Sequence, residues 1–374
     1  MMIQLKEGEF PAVNQHHQYA IVAITKHGVE LARKLHAVFT HSDLYYMSKL
    51  ERGDEQQKHI QLFSGSVRLL LPVLFRKYDG LILIISLGAV VRMIAPILQD
   101  KKTDPGIVVI DDRGENVISV LSGHLGGANE LTHEVAASLG ASAIITTASD
   151  VQKTIPVDLF GSRFGWVWDS AEKLTPVSAS VVNEERVAII QESGEKNWWT
   201  FEREMPSHFT LYSDIQTALI DKPQAALVIT HRKLNDDEHA ILENGVVYRP
   251  KSLAIGMGCN RGTSAEEIEQ VILNTMDELK LSIKSVKAIC TIDLKKDELG
   301  LVEVANKYDW EFVYYSPQEL NKVKIEQPSD TVYKYTGAHG VSEPAVRLYT
   351  RADELVLVKK KSGNTTISVG VIEF

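Results

Sequence analysis

Short apolar runs alternate with segments of helical periodicity through the first 150 residues of the chain. Runs of about five apolar residues bounded by polar positions are typical of buried strands. The runs with strand character are 19–25, 44–47, 81–87, 107–111, 117–121 and 143–147. The segments whose apolar side chains recur on one helical face are 29–39, 67–75, 89–98 and 128–139. We therefore expect a largely parallel sheet with helices on both faces, and the turn at 112–116 predicts one inserted antiparallel pair.

The same alternation of strands and helices returns after residue 250. A strand at 253–257 precedes a helix with a clearly marked apolar face. The apolar positions of this helix are Ile268, Val271, Ile272, Thr275, Met276 and Leu279. Ser264 and Glu267 have the spacing of a capping box at its start. With a closing hairpin at 354–359 and 365–372, this region predicts a second α/β domain.

Residues 151–245 have a different pattern, with strand-like runs at 181–191, 209–211 and 227–230 among polar turns. We interpret this stretch as a smaller linking domain of mixed or β-rich structure, whose tryptophans belong to its core. A chain of 374 residues is also too long for one ordinary core. The predicted fold class is therefore multi-domain α/β. The predicted domains are an N-terminal α/β domain at 1–150, a linking domain at 151–245 and a C-terminal α/β domain at 251–374.

The excess of acidic residues argues against some classes of binding partner. The chain has 40 Lys and Arg against 49 Asp and Glu, a net charge of −9 at pH 7, whereas nonspecific binding to nucleic acid or to anionic membranes needs a basic surface. Two cysteines form neither a disulfide framework nor a metal cluster, which indicates a cytoplasmic protein without a metal site of its own. We expect no export signal in the first residues, and the apolar run at 81–91 is too short to span a bilayer.

Polar turns follow several predicted strands, which is where open α/β sheets bind ligands. The clearest is the glycine-rich turn at 123–129, whose amide groups could bind an anion or could simply form a tight connection. The cations on these turns suit a large polycarboxylate. The residues expected to bind such a ligand are Gly88, Arg92, Lys101, Gly123, Gly126, Gly127, Asn129, Arg261, Lys295 and Glu343.

His124 is the first candidate for proton transfer, because its pKa lies nearest neutrality and the glycines leave it accessible. Alternatively, it bonds a neighbouring backbone group and holds the turn. Asp104 is either an acid–base carboxylate or a turn-initiating residue, and Glu130 is either catalytic or a favourable charge in the first turn of its helix. Cys259 has no histidine nearby in sequence and is expected to be a spectator thiol. The sequence contains no Ser-His-Asp signature.

Eight segments, in the same order along the chain, closely resemble the cobalt-precorrin-5A hydrolase family of anaerobic cobalamin biosynthesis. These segments are 88–96, 101–105, 121–129, 145–150, 255–263, 292–298, 340–343 and 357–359. The run Leu-Ser-Gly-His-Leu-Gly-Gly-Ala-Asn at 121–129 is highly specific, and only the middle of the chain matches weakly. Gly106 and Ser149 stand where alanine and threonine are expected, which changes little chemistry.

The resemblance implies an enzyme that opens the δ-lactone of cobalt-precorrin-5A and releases acetaldehyde, giving cobalt-precorrin-5B. The cobalt is carried by the corrinoid substrate, so no cofactor is expected, and transient contacts with other enzymes of the pathway are conceivable. Water must be activated while the carbonyl oxygen gains negative charge. We expect His124 to be the base or to position the water, and the Gly126 and Gly127 N–H groups to bind the oxyanion. The cations expected to hold substrate carboxylates are Arg92, Lys101 and Arg261.

Other functions stay open at this point. A noncatalytic tetrapyrrole carrier or scaffold in the same pathway would bind the same substrate, and acetaldehyde release separates it from a hydrolase. A tetrapyrrole methyltransferase would need a methyl-donor site, but no Gly-x-Gly-Pro-Gly lies near the first strand. A nucleotide-dependent enzyme is disfavoured because the chain has no phosphate loop.

Overall fold

A computed structural model describes residues 2–7, 11–325 and 327–374. The other residues, which include part of the N-terminal segment predicted to carry no export signal, lie outside the described chain. The chain separates into two compact units, Met1–Leu159 and Phe160–Phe374. The division into three domains stays a prediction. None of the described helices is long and apolar enough to cross a membrane.

The first unit is an eight-stranded sheet with helices on both faces. Its strands are β1 (Met2–Gln4), β2 (Tyr19–Ala23), β3 (Ser42–Met47), β4 (Gln61–Ser64), β5 (Gly80–Ile84), β6 (Gly106–Ile110), β7 (Asn116–Leu121) and β8 (Ser142–Ile144). Its helices are α1 (Lys26–Val38), α2 (Val67–Lys77), α3 (Leu87–Ile94), α4 (Ala128–Leu139) and α5 (Ala148–Gln152). The strand order is β1-β4-β3-β2-β5-β6-β7-β8. Neighbouring strands are parallel except β6 and β7, which confirms the predicted antiparallel pair.

Alternating side chains of the central strands fill two apolar cores, because successive residues of a strand point to opposite faces. Leu81 and Leu83 of β5 pack with α2 and α3 on one face. Ile82 and Ile84 pack with α1 and α4 on the other face. The continuous apolar run of β5 therefore reflects burial on both faces, as in parallel sheets generally.

The reversal at β7 decides which turns share an edge of the sheet. Because β7 is antiparallel to β6 and β8 is parallel to β7, the ends of β7 and β8 lie beside the start of β6. We call this side the amino edge, since β5 and β6 begin there. The turns after β7 and β8 therefore lie at the amino edge, whereas the turn after β5 lies at the opposite, carboxyl edge.

The second unit contains two five-stranded sheets. Elements of the first are β9 (Val167–Trp168), α6 (Leu174–Val182), β10 (Val187–Gln191), β11 (Phe209–Tyr212), α7 (Ile215–Ile220), β12 (Ala225–Ile229) and β13 (Gly245–Arg249). Elements of the second are β14 (Leu253–Cys259), α8 (Ala265–Glu278), β15 (Val286–Ile292), α9 (Leu299–Lys307), β16 (Glu311–Tyr315), α10 (Pro317–Leu320), α11 (Asp330–Thr336), α12 (Ser342–Thr350), β17 (Leu357–Ser362) and β18 (Thr365–Val371). Strand β9 is antiparallel to β13, β18 is antiparallel to both β14 and β17, and the other pairs are parallel. The predicted α/β class is confirmed.

The predicted strand at 181–191 is wrong in its first part. Residues Leu174–Val182 form helix α6, and the strand begins at Val187. Leu174, Val177 and Val181 are buried at helical spacing. The apolar pair at 181–182 therefore ends a helix, and a short apolar run alone did not distinguish the two structures.

The predicted capping box at the start of α8 is only half formed. The Ser264 hydroxyl accepts a hydrogen bond from the Glu267 N–H at 3.3 Å, as predicted. The Glu267 carboxylate instead accepts one from the Asn364 N–H at 2.9 Å, in the turn between β17 and β18. A tertiary contact has replaced the local one, and it ties the hairpin to α8.

Gly256→Ala should destabilise the second unit, whereas Gly258→Ala should not. A Cβ on Gly256 would lie 1.9 Å from the Ser342 carbonyl oxygen at the start of α12, whereas one on Gly258 would meet its nearest neighbour at 3.7 Å. We expect Gly256→Ala to lower the free energy of unfolding by about 1–3 kcal/mol. Urea unfolding followed by tryptophan fluorescence measures this, since all tryptophans lie in this unit. Equal stability of the two variants would contradict the packing described.

Candidate functional site

The turn after β7 is shaped by close backbone contacts. Ser122 has φ 55° and Gly127 has φ 73°, both in the left-handed region. A Cβ on Gly126 would lie 2.3 Å from the Ser122 Cβ, and one on Gly106 would lie 2.4 Å from the Gly126 carbonyl oxygen. Only glycine fits these two positions without a shift of the backbone. The glycines therefore lock the turn against the start of β6.

Three of the amide groups of this turn are already hydrogen bonded within it. The Gly127 N–H donates to the His124 carbonyl at 2.9 Å, and the Asn129 N–H donates to the Gly123 carbonyl at 2.9 Å. To bind an oxyanion, the Gly127 amide would have to give up this acceptor, and its predicted contact stays a prediction. The Gly126 N–H donates to no group that the structure describes, and it keeps the predicted role.

His124 lies between two carboxylates at the amino edge. Its Nδ1 is 3.0 Å from Asp158 Oδ1, and its Nε2 is 2.9 Å from Asp150 Oδ2. The Ser149 hydroxyl is 3.2 Å from the same Nε2. The His124 side chain is only 15% exposed, whereas Asp150 is 37% exposed. The turn therefore holds a carboxylate–imidazole–carboxylate cluster whose Asp150 end faces solvent.

Asn129 fixes Asp150 within this cluster. Its Nδ2 donates to Asp150 Oδ2 at 2.9 Å and to the Thr147 hydroxyl at 3.0 Å, and its Oδ1 accepts from the Ser119 hydroxyl at 2.6 Å. A Cβ on Gly123 would lie 2.7 Å from the Asn129 Oδ1, so glycine gives this amide its space. Asn129 was predicted to bind substrate, and its amide is instead engaged in holding Asp150.

The two carboxylates keep the His124 ring charged. The hydrogen bond to Asp158 is the largest cause, and with Asp150 it outweighs the opposing effect of burial and raises the pKa of His124 from 6.5 to about 9. At neutral pH the ring is therefore an imidazolium, whose two N–H groups both face acceptors. A charged ring has no lone pair to accept a proton, and the predicted role of His124 as the base or as the group that positions the water stays a prediction.

A cleft of about 600 Å³ opens at the amino edge beside the turn. Leu125, Gly126 and Gly127 form part of its wall, and Lys102 contributes a cation. The turn that carries His124 is thus not walled off inside an apolar core. Its glycines border a space in which a ligand can contact the backbone.

The other predicted catalytic carboxylates do not hydrogen bond to the His124 cluster. Asp104 is buried, and both of its carboxylate oxygens accept the Gln99 N–H, at 3.2 and 3.0 Å. It therefore closes the loop that precedes β6, which differs from the turn initiation considered for it, and its catalytic role stays a prediction. Glu130 is exposed in the first turn of α4, where its charge is favourable for the helix. Lys101 is exposed in the loop that Asp104 closes.

Gly88 and Arg92 lie at the other edge of the sheet. Both belong to α3, which follows β5 at the carboxyl edge, and the Arg92 Nη1 donates to the Gly88 carbonyl at 3.1 Å. A five-residue strand separates the two edges by roughly 15 Å. These residues and the turn at 123–129 therefore lie at opposite edges of the sheet, and the predicted role of Gly88 and Arg92 in substrate binding stays a prediction. The cause of this separation is the reversal at β7.

The remaining predicted residues belong to the second unit, where each forms an ion pair. Arg261 lies 2.7 Å from Asp297, and Lys295 lies 3.0 Å from the buried Glu298. Glu343 is buried at the start of α12 and pairs with Arg347 at 3.2 Å. Arg261 lies in the turn after β14, Lys295 lies in the turn after β15, and Glu343 lies at the start of α12. The predicted roles of these residues in substrate binding remain predictions.

The sequence indicated the role of Cys259 but not the contacts of the acidic residues around His124. Burial raises the pKa of the Cys259 thiol to about 11, so it stays protonated, in line with a spectator role. In the sequence, Asp150 stands out only as the end of the segment 145–150, and no local pattern indicates the contacts of His124 with Ser149 and Asp158. Asp158 lies 34 residues after His124, with nothing in its local sequence to mark it.

Three family sequence models match successive parts of the chain. "Cobalamin synthesis G N-terminal" matches residues 70–150, "Cobalamin biosynthesis central region" matches 155–250, and "Cobalamin synthesis G C-terminus" matches 253–370. The central region, where the resemblance by sequence motifs was weak, is thus matched as well.

Two relatives are similar over nearly their whole length. The chain is 72% identical over 373 residues to "Cobalt-precorrin-5A hydrolase" of Priestia megaterium, covering 100% of both chains. It is 30% identical over 360 residues to "Cobalt-precorrin-5A hydrolase" of Salmonella typhimurium, covering 94% of this chain and 97% of the relative. The solved structure of CobE, a protein from the cobalamin (vitamin B12) biosynthetic pathway, is 27% identical, with a TM-score of 0.31, over 33% of this chain and 92% of its own.

The stability of the first unit should fall as the pH rises from about 6.5 to about 9. The pKa of His124 is raised on folding, so its contribution is fully present below 6.5 and is lost as the pH rises through about 9. The contribution of His124 to the free energy of unfolding amounts to about 3 kcal/mol at low pH. Amide hydrogen exchange in β6 and β7, compared between the wild type and His124→Gln, measures the difference. If the difference in exchange protection between the wild type and His124→Gln did not change with pH, the ring would not be charged.

Proposed function

The chain belongs to the cobalamin synthesis G family, and we propose that it is a hydrolase that opens the δ-lactone of cobalt-precorrin-5A, releasing acetaldehyde and giving cobalt-precorrin-5B. The observation that carries this proposal is the match of 72% identity over the full length to a cobalt-precorrin-5A hydrolase. The cluster around His124 supports it, because the cluster occupies the turn with the most specific resemblance to the family and combines a charged ring with an exposed carboxylate.

Lactone opening requires two things at one point. Water must lose a proton as it attacks the carbonyl carbon, and the carbonyl oxygen must be stabilised as it becomes negative. The carboxylates beside His124 can accept a proton. The Gly126 N–H and the positive charge of the His124 ring can stabilise an oxyanion nearby. The cleft borders the glycines of the turn, so a lactone bound there would contact the backbone at Gly126.

Acetaldehyde release follows from the opened lactone. The freed oxygen can form the aldehyde carbonyl as the neighbouring C–C bond breaks, and the electrons of that bond pass into the conjugated macrocycle. Because the substrate brings its own cobalt, we propose no resident cofactor. The protein then has to supply binding, proton transfer and exclusion of competing reactions.

Substrate carboxylates would be held by cations near the site. In the first unit, Lys102 lines the cleft together with Arg76 and Lys77. Arg92 would act at the other edge of the sheet. Arg261 and Lys295 would have to exchange their contacts with Asp297 and Glu298 for a substrate carboxylate. We further propose a cytoplasmic location and transient contacts with other enzymes of cobalamin synthesis.

His124→Ala should lower the rate of acetaldehyde release at least about 100-fold, because it removes the group that both carboxylates contact. The assay uses purified cobalt-precorrin-5A and couples acetaldehyde to NADH oxidation by alcohol dehydrogenase. The matched control is His133→Ala, which changes an exposed histidine on α4 and should keep the wild-type rate. Binding of the corrinoid by the wild type without acetaldehyde release would contradict the hydrolase and support a carrier.

A further inference from the structure

We propose that Asp150 is the catalytic base of this site and that His124 and Asn129 hold it in place. The inference rests on the proposed lactone hydrolysis and assigns its proton transfer to one carboxylate. Asp150 lies just after β8, in the short helix α5, and reaches the cluster from an element separate from the glycine turn.

The two oxygens of the Asp150 carboxylate have different surroundings. Oδ2 accepts hydrogen bonds from His124 Nε2 and from Asn129 Nδ2, both at 2.9 Å. Oδ1 accepts none from the residues that the structure describes. With 37% of its side chain exposed, Asp150 thus has one oxygen fixed by two donors and one free oxygen for water. This is the geometry of an oriented base.

His124 cannot itself be the base in this arrangement. Each ring nitrogen faces a carboxylate, and the two contacts keep the ring protonated. The imidazolium therefore donates to Asp150 and aims it. Asp158 touches only the Nδ1 side of the ring, away from Asp150, so it acts through His124 and is a positioning residue.

Ser149 is the alternative reacting group, as a nucleophile, because Ser149, His124 and Asp158 resemble a Ser-His-Asp triad in their contacts. The Ser149 hydroxyl is 3.2 Å from Nε2, farther than the Asp150 oxygen at 2.9 Å. It is also only 7% exposed. A nucleophilic serine needs a neutral histidine that accepts its proton, and here the ring is charged. Ser149 is therefore a spectator in the chemistry.

The reaction balances with Asp150 as the sole proton acceptor. The water oxygen bonds to the lactone carbonyl carbon while its proton moves to Asp150 Oδ1, and the carbonyl π electrons form an oxyanion. The oxyanion re-forms the carbonyl as the C–O bond to the ring oxygen breaks, and that oxygen leaves with the bonding pair and takes the proton back. One water has been added, the products are an acid and an alcohol, and Asp150 is again ionised.

The same carboxylate can serve the second step. Asp150 removes the proton of the new hydroxyl, whose electron pair forms the carbonyl of acetaldehyde. The C–C bond breaks, and its electron pair passes into the macrocycle, which takes up the proton. No oxidant, reductant or further reactant is required.

Kinetics of Asp150→Asn test the assignment. The amide keeps the size of the side chain but cannot accept a proton. We expect kcat for acetaldehyde release to fall about 100-fold or more, with KM changed less than about threefold, and Asp150→Glu to recover part of the loss. The matched control is Glu115→Gln, an exposed acid of the same unit that should keep the wild-type kcat. Wild-type kcat for Asp150→Asn would overturn the proposal.

Substitutions of two other residues around His124 provide a second test of the assignment. Ser149→Ala should keep kcat within about threefold. Asp158→Asn should lower kcat about tenfold and lower the pKa of the His124 ring in an NMR titration, as expected for a residue that acts through His124. A loss with Ser149→Ala as large as with Asp150→Asn would instead make the serine the reacting group.

A single turnover of the wild type in ¹⁸O-labelled water keeps the proposal testable if Asp150→Asn fails to fold. Direct attack by water places one ¹⁸O in the new carboxylate and leaves the protein mass unchanged. Unlabelled product would mean that Asp150 itself attacks the carbonyl, and an acyl adduct on Ser149 would mean that the serine does. Either result overturns Asp150 as a base. Absence of acetaldehyde from the wild type would overturn the proposed function itself.

Discussion

The antiparallel pairing of β6 and β7 is the constraint on which the site depends. In an otherwise parallel sheet, this one reversal carries the end of β7 to the edge where β5 and β6 begin. Because β8 is parallel to β7, the polar residues after both strands meet there. His124 from one turn and Asp150 from the other therefore come within hydrogen-bond distance. A wholly parallel sheet would have placed the glycine turn at the carboxyl edge, where α3 with Arg92 follows β5.

The cluster that results is held together by charge. Placing one imidazolium between two carboxylates compensates for the loss of water around a ring that is only 15% exposed. Asn129 adds a neutral donor, and its amide is itself fixed by Ser119 and by the space that Gly123 leaves. The glycines thus act mainly by letting side chains and backbone approach closely. The Gly126 amide is among the turn amides for which the structure describes no hydrogen-bond partner.

The sequence predicted the fold class well because buried apolar residues recur along it at the spacing of strands and helices. Continuous apolar runs marked the central strands, and the turn at 112–116 marked the antiparallel pair. It predicted less of the linking region, where the apolar residues at 181–182 belong to the end of a helix. In the site it identified His124 and Asn129 through a specific local run. It missed Asp158, because a carboxylate 34 residues away carries no local pattern.

The sequence by itself therefore determined the alternation of strands and helices, the position of the glycine turn and the family resemblance, since these depend on local spacing and residue type. Only the tertiary structure decided which turns share an edge, which carboxylates face His124 and hence that its ring is charged. The physical reason is that a pKa and a hydrogen bond depend on distances across the sheet, and those distances follow from strand order and direction.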